Sequence, residues 1–173
     1  DGEIVTDQDI QINITDVDPE GPIFSSAANF NVDENLITIG FIEATDPLGA
    51  SVSYSISGTD ASLLSLDSTS GELAFVTAAD FETKSSYEAV VTASGSITST
   101  DQDIIITINN LNDNSPIFTS STTFTADENQ TEVGSISASD ADGDSISYSV
   151  SGSDLLITSE GVLSFTTAPD YET

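Results

Sequence analysis

Apolar and polar residues alternate with period two along most of this chain. Ile10-Gln11-Ile12-Asn13-Ile14-Thr15 keeps the alternation, and so does Val52-Ser53-Tyr54-Ser55-Ile56. A period of two places successive side chains on opposite faces of a strand, with one face toward a core. Ser and Thr fill the outward slots, and no stretch holds a 3.6 period over three turns. Within residues 22–115 the pattern predicts seven strands, near 28–33, 36–44, 51–57, 62–66, 72–77, 86–94 and 101–111. Short strands separated by Gly, Asp and Ser turns predict an all-β, antiparallel β-sandwich. The same parity predicts a core that includes Ile39, Ile42, Val52, Tyr54, Ile56, Leu66, Leu73, Phe75, Val90 and Ile106. Tyr54 and Tyr148 share the parity of their apolar neighbours, which favours core packing over stacking on a sugar.

The pattern repeats. Pro22-Ile23-Phe24 returns as Pro116-Ile117-Phe118, Asp33-Glu34-Asn35 as Asp127-Glu128-Asn129, and Ser51–Gly58 as Ser145–Gly152, each at an offset of 94. Thr6–Ile10 returns as Thr100–Ile104 at the same offset, whereas Asp80-Phe81-Glu82-Thr83 returns as Asp170-Tyr171-Glu172-Thr173 at 90. The second copy is therefore four residues shorter in between. Residues 1–21 read as the tail of a preceding repeat, 22–115 as one complete repeat, and 116–173 as the next, stopping before its last strands. The chain is thus expected to be a segment of a longer one. Tandem arrays of one unit reach, stack or bind more often than they catalyse. Phe41 is matched by Ser135, so it is expected to face solvent or a contact.

Charge narrows the partners. Thirty acids stand against one base, Lys84, for a net charge of −29. Nucleic acid and anionic membranes need a basic face, which this chain lacks. At this density the chain repels itself, so screening salt or bound cations must offset the charge. Such a composition also fits a saline setting. There is no Cys, so redox compartment is not legible. No apolar run approaches the ~18 residues of a membrane span, and no membrane insertion is expected in this segment. Asn13-Ile14-Thr15 and Asn129-Gln130-Thr131 match the glycosylation sequon, a frequent match in a Thr-rich chain.

The carboxylates gather near strand ends: Glu34, Asp80 with Glu82, Asn112-Asp113-Asn114, and Asp140 with Asp142. Oxygen ligands with no His or Cys suit calcium and exclude most transition-metal sites. The run from Asp140 is not an EF-hand, because positions six and twelve are Ser145 and Ser151. The competing reading of each cluster is a solvated turn, since Asp and Asn favour turns anyway.

Together these motifs resemble the cadherin repeat. The order Pro-x-Phe, Glu-Asn, Asp-x-Asp, Asp-x-Glu and Asp-x-Asn-Asp-Asn-x-Pro is matched by Pro116-Ile117-Phe118, Glu34-Asn35, Asp140-Ala141-Asp142, Asp80-Phe81-Glu82 and Asn110-Leu111-Asn112-Asp113-Asn114-Ser115-Pro116. Gly71-Glu72-Leu73 also fits, and the resemblance covers essentially the whole chain. It implies tandem seven-stranded antiparallel sandwiches of immunoglobulin-like, cadherin-like Greek-key type, as in large prokaryotic surface adhesins. It implies calcium held at the junction of residues 22–115 with 116–173 by Glu34, Asp80, Glu82, Asn112, Asp113, Asn114, Asp140 and Asp142. Asn110 and Leu111 depart from the family pattern there. The junction before residue 22 departs further: Pro19 stands where the family has a key Asp, Leu48 replaces the second Asp after Asp46, and Ser94 replaces a late one. Fewer ions, or none, are expected at that end, with Glu20 as a partial substitute.

The function this implies is a calcium-rigidified extracellular spacer or adhesion repeat of a long cell-surface adhesin or fibre. Its partners would be neighbouring repeats of the same chain, with a homophilic, cell-surface or glycan partner beyond. The family's exchanged Trp is absent, which argues against strand-swap adhesion. One alternative is a carbohydrate-binding or accessory module of a secreted polysaccharide-degrading enzyme, for which Phe41 alone gives weak support. Another is a filament subunit joined by β-strand donation. An enzyme is not expected, because without His, Cys or Arg the means for acid–base work are poor.

Overall fold

The computed structural model describes residues 2, 7–15 and 20–172, which form two compact units. One comprises Asp1–Ala79 with Ser86–Thr107, the other Asp80–Ser85 with Ile108–Thr173. Among the described residues the regular structure is all strand, apart from one turn of 3-10 helix at Ala61–Leu63. No helix among the described residues is long and apolar enough to cross a membrane.

The first unit is built on β1 (Ile23–Phe24), β2 (Asn29–Asp33), β3 (Thr38–Phe41), β4 (Ala44–Thr45), β5 (Ser53–Ser57), β6 (Leu64–Leu66), β7 (Glu72–Phe75), β8 (Ser86–Ser94) and β9 (Ser99–Asn109). One sheet runs β2-β9-β8-β5, a second runs β3-β7-β6, and β1 pairs with β4. The β8–β9 hairpin is antiparallel and closes through Gly95, whose amide donates to the Thr98 carbonyl at 2.9 Å. Alternation decides which side chains face inward. Tyr87, Ala89, Val91 and Ala93 of β8 are buried, as are Ile104, Ile106 and Ile108 of β9. Leu64, Leu73 and Phe75 of the second sheet complete the core, and the Phe75 and Tyr87 rings meet at 5.0 Å between centroids. Each such large apolar side chain, fully buried, is worth roughly 1.5–3 kcal/mol.

Four expectations shift in detail. Val90 is only half-buried and pairs across to Asp103, while Ala89 and Val91 on either side of it are buried. Two adjacent valines leave the parity open, and Tyr87 with Ala93 settles it. The strand expected over 36–44 is two strands: β3 stays on β7 through a register slip between Thr38 and Gly40, and beyond Phe41 the chain changes partner, so that β4 pairs with β1. The strand expected over 62–66 begins with the 3-10 turn and pairs only from Leu64. Val52, Tyr54 and Ile56 are half-buried, since β5 is the last strand in its sheet.

The second unit contains β10 (Ile117–Phe118), β11 (Glu132–Ser135), β12 (Ala138–Ser139), β13 (Leu155–Ile157) and β14 (Val162–Phe165). β10 pairs with β12, and the other sheet runs β11-β14-β13 with its register slip at the matching place, between Glu132 and Gly134. Residues 145–151 keep the alternation of β5 yet form no ladder. In the first unit that strand is held by β8, and the second unit as given holds no residues that match β8. Residues 7–15 behave likewise: Ile10, Ile12 and Ile14 are exposed, whereas the matching Ile104, Ile106 and Ile108 are core.

Candidate metal centre

Short-range hydrogen bonds position the acidic side chains. In the turn after Ala79, the Asp80 carboxylate accepts from the Thr83 amide at 3.2 Å and from its hydroxyl at 2.8 Å, and the Lys84 amide donates to the Asp80 carbonyl at 2.9 Å. This is the local Asx geometry that Asp favours. The Thr83 hydroxyl and amide hold the Asp80 carboxyl below its ordinary value. The turn leaves Glu82 exposed.

Asn114 organises the opposite side of the second unit's cluster. Its backbone amide donates to Asp142 Oδ2 at 2.8 Å, and its Nδ2 donates to Asp142 Oδ1 at 3.1 Å and to Asp113 Oδ1 at 2.8 Å. Asn110 Nδ2 donates to the Asp142 carbonyl at 3.1 Å, and Asn112 Nδ2 donates to the Asp144 carboxylate. Partial desolvation pushes the Asp142 carboxyl up, but hydrogen bonds from the Asn114 backbone and side-chain amides outweigh it and leave the group below its ordinary value.

Carboxylate oxygens of Glu82, Asp113 and Asp142 all lie within 4.8 Å of one another. Two ligands on opposite sides of a calcium ion, each at ~2.4 Å, would be about 4.8 Å apart. Like charges at ~4 Å repel by about 1 kcal/mol even in water, so the cluster is a place where a cation is stabilising. Asp140 stands beside it, half-buried, its Oδ1 accepting from the Asp144 amide at 3.2 Å. Neither Asp80 nor Asp140 is among the converging carboxylates.

Glu34 belongs to the first unit, where it is 2% exposed. Asn35 follows it with φ of 66°, a left-handed conformation that Asn tolerates better than most residues. The Asn35 amide donates to the Ala79 carbonyl at 2.8 Å, which pins the Glu34-Asn35 turn within the first unit. The second unit repeats this design: Asn129 has φ of 64° and its amide donates to the Pro169 carbonyl at 2.8 Å. There Glu128, Asp170 and Glu172 converge, with oxygens within 4.8 Å of one another, and Glu128 Oε2 accepts from the Tyr171 amide at 3.0 Å. The repeat offset matches these three to Glu34, Asp80 and Glu82, but they are not among the ligands the sequence led us to expect.

The other departures from the motif can be placed too. Asp46 is 3% exposed and fully engaged: Oδ2 accepts from the Ser96 amide at 2.9 Å and its hydroxyl at 3.2 Å, and Oδ1 accepts from the Leu48 amide at 2.9 Å. Residues 16–19, with Asp18 and Pro19, lie outside the described residues.

No family model matches the chain. Mouse Protocadherin Fat 4 is 32% identical over 115 residues, 63% of this chain and 2% of that protein. Mouse Cadherin-17 is 34% identical over 113 residues, 61% of this chain and 14% of that protein. The chain therefore spans a small part of the curated relatives it matches. Among solved structures, human Protocadherin-24 EC1-2 superposes with a TM-score of 0.75 at 20% identity, covering 89% of this chain and 81% of that one. At that identity the likeness is one of fold.

Proposed function

We propose, from the premise that this extracellular chain is built of cadherin repeats, that its acidic clusters bind calcium and that the bound ions stiffen the array into an adhesion or spacer segment of a longer surface protein. The observation that carries this is the convergence of Glu82, Asp113 and Asp142 around Asn114. The proposed ligands are Glu34, Asp80, Glu82, Asn112, Asp113, Asn114, Asp140 and Asp142. Asp113, Asp142 and Glu82 supply charge. Asn114 holds two of those carboxylates by its amide, and rotation of that amide would present an oxygen instead. The burial of Glu34 supports its inclusion, because an ionised carboxylate removed from water gains from a nearby cation. Neighbouring repeats of the same chain are the first partners in this reading, and catalysis has no part in it.

Extracellular calcium modules bind at about 10⁻⁴–10⁻³ M. With free calcium at ten to a hundred times the dissociation constant, each site stabilises by roughly 1.4–2.7 kcal/mol. The test is thermal melting and small-angle scattering of this chain in calcium, in magnesium and in chelator. Calcium raises the melting temperature and extends the particle, and magnesium does so less because it tolerates a crowded carboxylate cage poorly. Identical melting and scattering in calcium and chelator would remove the reading.

A further inference from the structure

The repeat at 22–115 carries an apolar surface that its sibling lacks. Leu36, Ile37, Phe41, Leu63 and Val76 are 50%, 55%, 54%, 45% and 62% exposed. All lie on or beside the sheet β3-β7-β6. The Phe75 amide donates to the Ile37 carbonyl at 2.8 Å and the Val76 amide to the Leu63 carbonyl at 2.9 Å, which brings four of the five to one end of that sheet. Phe41 pairs across to Glu72 at the other end. At the matching places the next repeat has Gln130, Thr131, Ser135 and Thr166, and Asp154 stands where the first has Leu63, its carbonyl accepting from the Thr166 amide as the Leu63 carbonyl accepts from Val76. The fold evidently accepts polar residues at these positions, so the apolar set is not demanded by packing.

Leu63 makes the point most directly. It ends the 3-10 turn Ala61–Leu63, which the shorter repeat does not form among its described residues. That turn has its own anchor: the buried Asp60 accepts the Glu88 amide on Oδ2 at 2.8 Å, and the Leu63 amide donates to the Asp60 carbonyl at 2.9 Å. The buried Asp60 carboxylate thus fixes the turn from which Leu63 meets solvent.

We propose that this face of the 22–115 repeat is a docking surface for a different protein, one that presents an apolar centre ringed by lysine or arginine. Charge complementarity selects this occupant. Glu72 lies across from Phe41, and Asp67 follows β6 with its amide donating to the Glu72 carbonyl; the chain has thirty acids against one base, so a second copy brings repulsion to the rim where a basic partner brings attraction. Glycan is disfavoured because four of the five side chains are aliphatic and offer no ring to stack on. The surface begins at Leu36, next to the Glu34-Asn35 turn, but uses none of the carboxylates proposed to hold calcium, and the inference goes beyond the calcium reading.

The test uses this chain in saturating calcium, immobilised against a displayed random-peptide library. A variant with the sibling's residues, L36Q/I37T/F41S/V76T, serves as comparison. Selected peptides should combine aromatic or aliphatic residues with Lys or Arg, bind the variant at least tenfold more weakly, and weaken as salt rises. Unchanged melting of the variant shows that the fold is intact. Peptides without basic residues, peptides that bind both proteins alike, or no enrichment at all would overturn the proposal. So would sedimentation showing a dimer that the four substitutions abolish, which would assign the face to a second copy, or glycan-array binding lost with F41S, which would assign it to sugar.

Discussion

Ser96 closes on Asp46 from fifty positions away, donating both its amide and its hydroxyl to one carboxylate oxygen. Asp46 matches Asp140 in the next repeat, and Leu48 matches Asp142. Where the second unit places clustered carboxylates, the first has one carboxylate already satisfied by protein donors. Gly95 permits this closeness, since a Cβ there would lie 2.2 Å from Asp46 Oδ2.

Asp46→Asn is therefore expected to lower the melting temperature by the same amount in calcium and in chelator. Asp142→Asn is expected to lower it in calcium only. Paired melting curves under both conditions check this. Calcium-dependent loss in Asp46→Asn would show that this end of the repeat takes up an ion after all.

Acid should act through the same carboxylate. The Ser96 amide, with smaller help from Leu48, Ala50 and the Ser96 hydroxyl, holds the Asp46 carboxyl below its ordinary 3.8. A depressed folded value means the contribution is complete above 3.8 and disappears as pH falls through the folded value. The stability difference between parent and Asp46→Asn should thus be constant from pH 7 to about 5 and shrink below 3.8. Taking the difference cancels the relief of self-repulsion common to both proteins. A gap that widens in acid would refute the assignment.

Asp113→Ala should lose most of the calcium-induced rise in melting temperature, and Asp144→Ala little of it. Asp113 belongs to the converging set, whereas Asp144 receives Asn112 at its edge. In chelator neither variant should melt below the parent, because each removes a repelling charge. Calcium titration followed by melting measures both effects. An Asp113→Ala protein that responds to calcium like the parent would reduce the cluster to an ordinary turn.

Gly71→Ala should cost at least ~2 kcal/mol, and Gly49→Ala about 1 kcal/mol or less. Both have φ of 74°, but a Cβ on Gly71 would meet the Ile42 carbonyl oxygen at 2.1 Å and one on Gly49 meets nothing within 4 Å. Denaturant unfolding of the two variants separates backbone strain from collision. Equal losses would mean that the turn after β6 yields to the intruding carbon.

Much of the fold was legible because alternation reports burial directly where a strand has both neighbours, as in Ile104, Ile106 and Ile108. It was less legible at Ala89-Val90-Val91, where both parities are apolar, and at Gly40, where a register slip interrupts the period. The acidic positions could be found from composition and order, but not the work each does. Asp80 reads like Glu82 in sequence yet spends its carboxylate on Thr83. Nothing local in Asp46-Pro47-Leu48 foretells Ser96, because that contact depends on a hairpin fifty residues on. Glu128, Asp170 and Glu172 were legible only by carrying one repeat onto the next.

The recurrence of the Glu34, Asp80 and Glu82 positions as Glu128, Asp170 and Glu172 has a genetic consequence. A gene made of such near-copies can exchange unequally with itself, adding or removing one repeat's worth of codons. Wherever in the repeat the crossover falls, the recombinant keeps a Glu-Asn turn and an Asp-x-Glu turn in each copy, whereas whether it carries the Asp140 and Asp142 pair or Asp46 and Leu48 depends on the crossover point. Heritable variation in length thus preserves two of the acidic turns and reshuffles the third.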